Sequence, residues 1–128
     1  MLALFAGETL RTEPSHNVHV DKCELNYLDW SCRYQTELNQ RHYSAIMFLN
    51  DDFTGGQFFF AYRGNHTAQL TVQPKCGRLV AFSSGQENPH GVKAVLQGRR
   101  CVLAFGTRWT NDTRSYPTTR QGNWSNPY

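Results

Sequence analysis

Three metal-ligating side chains recur at an informative spacing. His19-Val20-Asp21 places an imidazole and a carboxylate at i and i+2, which on an extended strand share one face because successive residues alternate. His90 closes the turn of Ser84-Gly85-Gln86-Glu87-Asn88-Pro89-His90-Gly91-Val92-Lys93-Ala94-Val95. There Ser-Gly and Asn-Pro read as a turn delivering a histidine onto the first residues of a β-branched strand. Two imidazoles and a carboxylate on adjoining strands make a facial triad for non-haem Fe(II), with three coordination positions open. Arg100, ten residues past the histidine, would hold a carboxylate of a co-substrate bidentately. Each residue also has a plainer reading: a surface His–Asp pair, a turn histidine, and an arginine beside Arg99 solvating a strand end. Their joint occurrence favours the chemistry.

Such a site needs strands to carry it. Helical periodicity is nearly absent, whereas short apolar and aromatic runs alternate with turn chemistry. Strands are expected near 2–6 or 8–12, 16–21, 43–49, 57–62, 68–73, 78–83, 90–96 and 100–106. Asn50-Asp51-Asp52-Phe53-Thr54-Gly55-Gly56 and Pro74-Lys75-Cys76-Gly77 are turns, and Gly98 separates the last two strands. Residues 22–42 read as a long loop with at most one helical turn, and Phe58-Phe59-Phe60 as core. About eight short strands predict an all-β sandwich or barrel. Residues 1–106 form the expected domain, and the polar, turn-rich residues 107–128 a partly ordered tail.

The 128 residues suit one domain. Hydrophobic content of 39% with 18% charged residues argues against disorder. A net charge of +3 with no dense Lys/Arg run excludes a nucleic-acid footprint but suits an acidic co-substrate. No stretch has the apolar length of a transmembrane helix, and the apolar Met1–Gly7 lacks the basic flank of a secretory signal and reads as a strand. Four cysteines are too few for a disulfide scaffold, and none form a CxxC pair. Cys23 and Cys32 are placed to bridge a loop; reduced structural thiols account for them equally well. Glycosylation sequons start at Asn65, Asn111 and Asn123, a lean toward the secretory pathway. No nucleophile elbow or phosphate loop is present.

Longer stretches carry a family likeness. Ser44-Ala-Ile-Met-Phe-Leu-Asn-Asp-Asp52, Gly55-Gly56-Gln57-Phe58, Gln73-Pro-Lys-Cys-Gly-Arg78 and Phe82-Ser-Ser-Gly-Gln-Glu-Asn-Pro-His-Gly-Val-Lys-Ala-Val95 closely resemble the catalytic domain of the collagen prolyl 3-hydroxylases (the leprecan family). The resemblance runs from about Ser15 to Phe105. It implies a double-stranded β-helix (jelly-roll, cupin-like) fold, with His19, Asp21 and His90 ligating Fe(II) and Arg100 pairing with the C5 carboxylate of 2-oxoglutarate. It further implies O2 as oxidant, L-ascorbate to restore oxidised iron, and hydroxylation of proline in collagen-like chains in the endoplasmic reticulum lumen or outside the cell. Phe48 stands where related oxygenases usually have a tyrosine whose hydroxyl helps bind 2-oxoglutarate, and Tyr43 is the substitute. Gly106 replaces a tryptophan of the family strand. The family's preceding helical-repeat region is not among these residues, and a partner chain that supplies it and a chain that does without it are both open readings. A non-catalytic jelly-roll binding module and a prolyl 4- or lysyl hydroxylase are the alternatives.

Overall fold

The alternation of apolar residues along the strands builds two facing sheets. The structure is a computed structural model that describes residues 2–6, 13–33 and 41–107. Twelve strands follow in chain order: β1 (Leu2–Ala6), β2 (His16–His19), β3 (Glu24–Leu25), β4 (Cys32–Arg33), β5 (Tyr43–Phe48), β6 (Thr54–Gly55), β7 (Phe58–Ala61), β8 (Ala68–Val72), β9 (Leu79–Ser83), β10 (His90–Val92), β11 (Val95–Gln97) and β12 (Arg99–Thr107). One four-stranded sheet has the order β1-β12-β5-β9 and the other β2-β10-β7-β8, with every pairing antiparallel. Two such sheets are the jelly-roll expected from the sequence.

Even-numbered residues of β5 and β12 point between the sheets: Ser44, Ile46 and Phe48 face the same space as Arg100, Val102 and Ala104, and the register sets Phe48 opposite Val102. From the second sheet Phe58 and Val92 close the same core, which also buries Phe82. The Phe58-Phe59-Phe60 run is apolar throughout because β7 is covered on both faces. Phe58 and Phe60 pack into this core, while Phe59 joins Val18 and Ala61 on the outer side. The central strand β10 is buried at all three positions. Gly91 lies against Phe59: a Cβ there would come within 2.8 Å of the Phe59 ring and 3.0 Å of the His16 carbonyl oxygen.

Two stretches differ from expectation. Residues 90–96 are not one strand, since β10 stays in its sheet while β11 leaves it to pair with β6. The switch occurs at Lys93-Ala94, where the Lys93 amide still donates to Gln57 O (2.9 Å) and the Ala94 carbonyl accepts from Gly56 N (2.7 Å). The segment after Asp21 is no open loop. β3 and β4 form a hairpin in which Cys23 and Cys32 are disulfide-bonded, with Cα atoms 5.5 Å apart. Trp30, at φ 60°, packs against both Val18 and Val20 clusters and so covers the outer face behind β2. β12 runs through Thr107, one residue past the expected boundary; the alternative strand at 8–12, the remainder of the tail, Asn111 and Asn123 lie outside the described residues. No described helix is long and apolar enough to cross a membrane.

Candidate metal centre

The turn before β10 explains how His90 is presented. Asn88 Nδ2 donates to both the carbonyl (2.9 Å) and hydroxyl (2.8 Å) of Ser83, the Ser83 hydroxyl donates to Glu87 Oε1 (2.5 Å), and Asn88 N donates to Gly85 O (3.2 Å). Ser83, Glu87 and Asn88 therefore lock the turn, and Glu87 is a turn-fixing residue. Locked in this way, the turn sets His90 in register with His19 across the β2–β10 pair.

Asp21, two residues past His19, faces both rings. His19 Nε2 and His90 Nε2 each lie 3.4 Å from Asp21 Oδ1, and the three ligand atoms all fall within 4.8 Å of one another. Each imidazole is oriented by the same local bond: His19 Nδ1 to Asn17 O and His90 Nδ1 to Asn88 O, both 2.8 Å. A carbonyl only accepts, so Nδ1 carries a hydrogen and Nε2 is the atom that faces the cluster, where it would offer its lone pair to a cation in place of a proton, as metal-ligating histidines do. Two neutral nitrogens and one carboxylate oxygen on one side of a hollow suit a divalent cation with open positions.

Electrostatics favour an ionised carboxylate. Burial alone would raise the Asp21 carboxyl, but hydrogen bonds with His19 and His90, the charge of His90 and the hydroxyl of Ser44 hold it well below the usual carboxylate range. For His19, burial acts to lower the pKa, yet the bonds to Asp21 and Asn17 leave it raised. The Asp21 contact that tightens the hold of His19 on a proton is the same one that would face a cation. Ser44 is buried and shares a 2.8 Å hydrogen bond with the equally buried Ser84, so a hydroxyl pair backs Asp21 from β5 and the end of β9.

The triad opens into a cavity of about 230 Å³ whose walls include His16, Arg41, Phe58, Phe82 and Arg100. Arg100 is 2% exposed. Its Nε donates to Gly56 O (3.0 Å), and its Cζ lies 5.2 Å from the Phe48 ring centroid. Among the described residues no carboxylate pairs with it. Burial lowers its pKa to about 10, which leaves it cationic at neutral pH. A buried guanidinium without a counter-ion is costly, and its place in the wall of a cavity shared with the triad gives that cavity a positive end.

Tyr43 is not in this cavity. It is 57% exposed and lines a separate open depression of about 670 Å³ with Lys22, His42 and Glu87 that contains neither the triad nor Arg100. Strand alternation is the reason: with Ser44 and Phe48 facing inward, Tyr43 must face out. The sequence reading passed over His16, Arg41, Ser44 and Ser84. Ser44 was legible, as the one polar member of the inward series Ser44-Ile46-Phe48. His16 was not, because it and His19 have opposite parity. Between them the register shifts, His90 pairing with His19 but Val92 with His16, and the bulge turns both histidines toward the cavity. Asn65 lies in the exposed turn between β7 and β8, its Oδ1 accepting from Thr67 N at 2.7 Å.

A jelly-roll holding a His-x-Asp…His cluster and a buried arginine in one cavity has the makings of a non-haem iron oxygenase fed by a 2-oxo acid. The sequence model of the 2OG-Fe(II) oxygenase superfamily matches residues 8–110, and the chain belongs to that superfamily. It is 49% identical over 113 residues to prolyl 3-hydroxylase 3 of Homo sapiens, covering 88% of this chain and 15% of that protein. It is 52% identical over 96 residues to prolyl 3-hydroxylase 1 of Gallus gallus (74% and 13%), and 44% identical over 104 residues to the human prolyl 3-hydroxylase 2 (80% and 15%). The chain thus spans about one-seventh of the length of the curated relatives it matches. Among solved structures, an oxidoreductase of the 2OG-Fe(II) oxygenase family from Burkholderia pseudomallei shares the fold with a TM-score of 0.51 at 18% identity, over 75% of this chain and 38% of that one.

Proposed function

We propose that the chain is the catalytic domain of an Fe(II)- and 2-oxoglutarate-dependent dioxygenase that hydroxylates peptidyl proline, at C3, in collagen-like chains. The observation that carries the reading is the unpaired, buried Arg100 in the wall of the cavity that also holds His19, Asp21 and His90. Those three residues would hold the iron, and Arg100 the distal carboxylate of 2-oxoglutarate. Bound there, Fe(II) would couple oxidative decarboxylation of 2-oxoglutarate by O2, to succinate and CO2, to insertion of one oxygen atom into a proline C–H bond.

The residues of the chain have distinct tasks in this scheme. Asn17 and Asn88 hold the imidazoles with Nε2 forward, and Ser44 with Ser84 fixes the Asp21 carboxylate. Phe58 and Phe82 exclude water from the walls, which strengthens the pairing of Arg100 with its anion. The likeness to prolyl 3-hydroxylases supports the proline substrate and C3 over C4 or a lysine. The Cys23–Cys32 disulfide and the surface sequon at Asn65 support the endoplasmic reticulum lumen or the extracellular space, where ascorbate would keep the iron reduced.

The test is an anaerobic titration with Fe(II) and 2-oxoglutarate, watching for the visible charge-transfer band of a chelated 2-oxo acid. A band saturating near one equivalent and lost in His90→Ala supports the site; proline-rich peptides followed by mass spectrometry then locate the hydroxyl. One observation favours a second reading, a non-catalytic binding module: with Phe48 inside and Tyr43 facing out, no tyrosine among the described residues brings a hydroxyl to the Arg100 end of the cavity. A folded protein that gives no band would establish that alternative.

A further inference from the structure

The cavity has a second guanidinium that the reading above leaves without a task. Arg41 precedes β5 at the cavity rim, 40% exposed, with Nη1 3.9 Å from Asp21 Oδ2. Both histidines address the other oxygen, Oδ1. Arg41 lies directly over Gly106 of β12: a Cβ at Gly106 would come within 2.7 Å of Arg41 Nε and 3.2 Å of Cζ. The missing side chain of Gly106 is therefore the space the guanidinium occupies. Gly106 and Arg100 are six residues apart on the inner face of β12, roughly 20 Å of strand. The two arginines thus approach the triad from opposite ends of one cavity.

We propose that Arg41, seated over Gly106, is a second anion anchor that binds the carboxylate adjoining the keto group of the 2-oxo acid. This rests on the reading of the cavity as a 2-oxo-acid site. The argument is one of charge and reach. A divalent cation on the triad would draw on the Asp21 charge and leave both guanidiniums without an anion among the described residues. Arg100 takes the far carboxylate of a dicarboxylate, while Arg41, beside Asp21, borders the space in which a ligand of the same cation must lie. A dicarboxylate matches both arginines; a monocarboxylic 2-oxo acid leaves Arg100 unmatched. Arg41 is thus a binding residue for the near end of the co-substrate, and Gly106 is the residue that admits it.

The experiment is calorimetric binding to Mn(II)-loaded protein, using 2-oxoglutarate and 2-oxovalerate, which lacks the far carboxylate. Arg41→Gln should weaken both ligands by the same factor, about tenfold or more, as expected for one charge-assisted hydrogen bond. Arg100→Met should weaken only 2-oxoglutarate. Gly106→Val, which keeps the charge but fills its seat, should repeat the Arg41→Gln pattern, and Arg41→Lys should recover part of the affinity. Mn(II) affinity should change little in the Arg41 and Gly106 variants. Arg41→Gln weakening Mn(II) but neither acid would overturn the proposal, leaving Arg41 a partner of Asp21. Loss of 2-oxoglutarate binding alone would overturn it too, by assigning Arg41 to the far carboxylate. Wild-type protein that takes Mn(II) yet binds neither acid would instead remove the 2-oxo-acid reading itself.

Discussion

Replacing Arg100 with methionine should leave the metal-free fold nearly as stable as wild type while removing most of its response to 2-oxoglutarate. Lowering the Arg100 pKa from 12.5 to about 10 by burial corresponds to roughly 3 kcal/mol of unfavourable interaction, at about 1.4 kcal/mol per unit. Methionine removes that penalty and keeps the apolar stem. Against this, the buried Gly56 carbonyl loses its donor, at about 1–3 kcal/mol, and the contact with the Phe48 ring goes, at about 0.5–2 kcal/mol. The terms nearly cancel, so denaturant unfolding should place the variant within about 2 kcal/mol of wild type. Breaking a buried ion pair would cost about 3–5 kcal/mol instead. With Mn(II) present, 2-oxoglutarate at a hundred times its wild-type Kd should stabilise wild type by about 2.7 kcal/mol and the variant, which keeps only the near-end contacts, by less than about 1 kcal/mol. A loss of more than about 3 kcal/mol without ligand, or an intact ligand response, would show that Arg100 is a structural residue and not an anion-binding one.

Three other outcomes follow from the same geometry. Ser44→Ala removes the hydroxyl that backs Asp21 and should weaken Mn(II) binding about tenfold or more, and by taking the hydrogen-bond partner of the buried Ser84 hydroxyl it should cost about 1–3 kcal/mol of stability, as measured by calorimetry and thermal melting. Metal-free stability should depend on pH with opposite signs at its two ends. The raised His19 pKa gives a contribution fully present below about pH 6.5 and lost as pH rises through the folded value, whereas the depressed Asp21 pKa gives one present above about pH 4 and lost as pH falls through its folded value. Unfolding should therefore become easier as pH rises above about 6.5 without metal. With Mn(II) saturating the slope should reverse, because binding expels the His19 proton; parallel slopes with and without metal would contradict the shared site. Cys32→Ser opens a bridge between residues nine apart in sequence and should cost about 2–3 kcal/mol, read from denaturant midpoints.

How much of this was legible depended on parity. Where strands kept strict alternation, sequence sufficed. His19 and Asp21 share a face, Arg100 and Val102 share another, and the Ser84-Gly85 and Asn88-Pro89 turn announced how His90 is delivered, though not the Ser83–Glu87–Asn88 bonds that lock it. Tyr43 fell to the same rule: once Phe48 is placed inside, a residue five positions earlier must face out. The failures lie where the rule is broken. No pattern in His16-Asn17-Val18-His19 marks a bulge, since it arises from pairing with β10, so His16 could not be placed beside His19. Arg41 sits just outside a strand, in a stretch without periodicity, and only tertiary packing over Gly106 reveals its position. The hairpin at 24–33 was hidden because its two-residue strands are too short to show alternation and are held by a disulfide and by Trp30.

That hairpin bears on the metal centre in a way the sequence concealed. His19 of β2 and Asp21 just past it are the proposed ligands, but the opposite face must be covered for the segment to hold its position, and Val18 and Val20 are the residues that need covering. Trp30 packs on both clusters, and Tyr27 donates from its hydroxyl to Val18 O at 2.6 Å, one residue from His19. Cys23, two residues past Asp21, ties the start of this cover to its end at Cys32. The ligand pair His19 and Asp21 is thus gripped from behind by a closed loop whose own stability comes from burying aromatic surface. A ligand set must be held to within about 0.5 Å to favour one cation geometry, and a β2 strand at the sheet edge, paired only with β10 among the described residues, would not supply that rigidity alone. The Cys23–Cys32 loop does, so its loss should loosen Mn(II) binding as well as lower stability. A Tyr27→Phe variant separates the two effects: it keeps the packing but frees the Val18 carbonyl, and it should weaken Mn(II) more than it lowers the melting temperature.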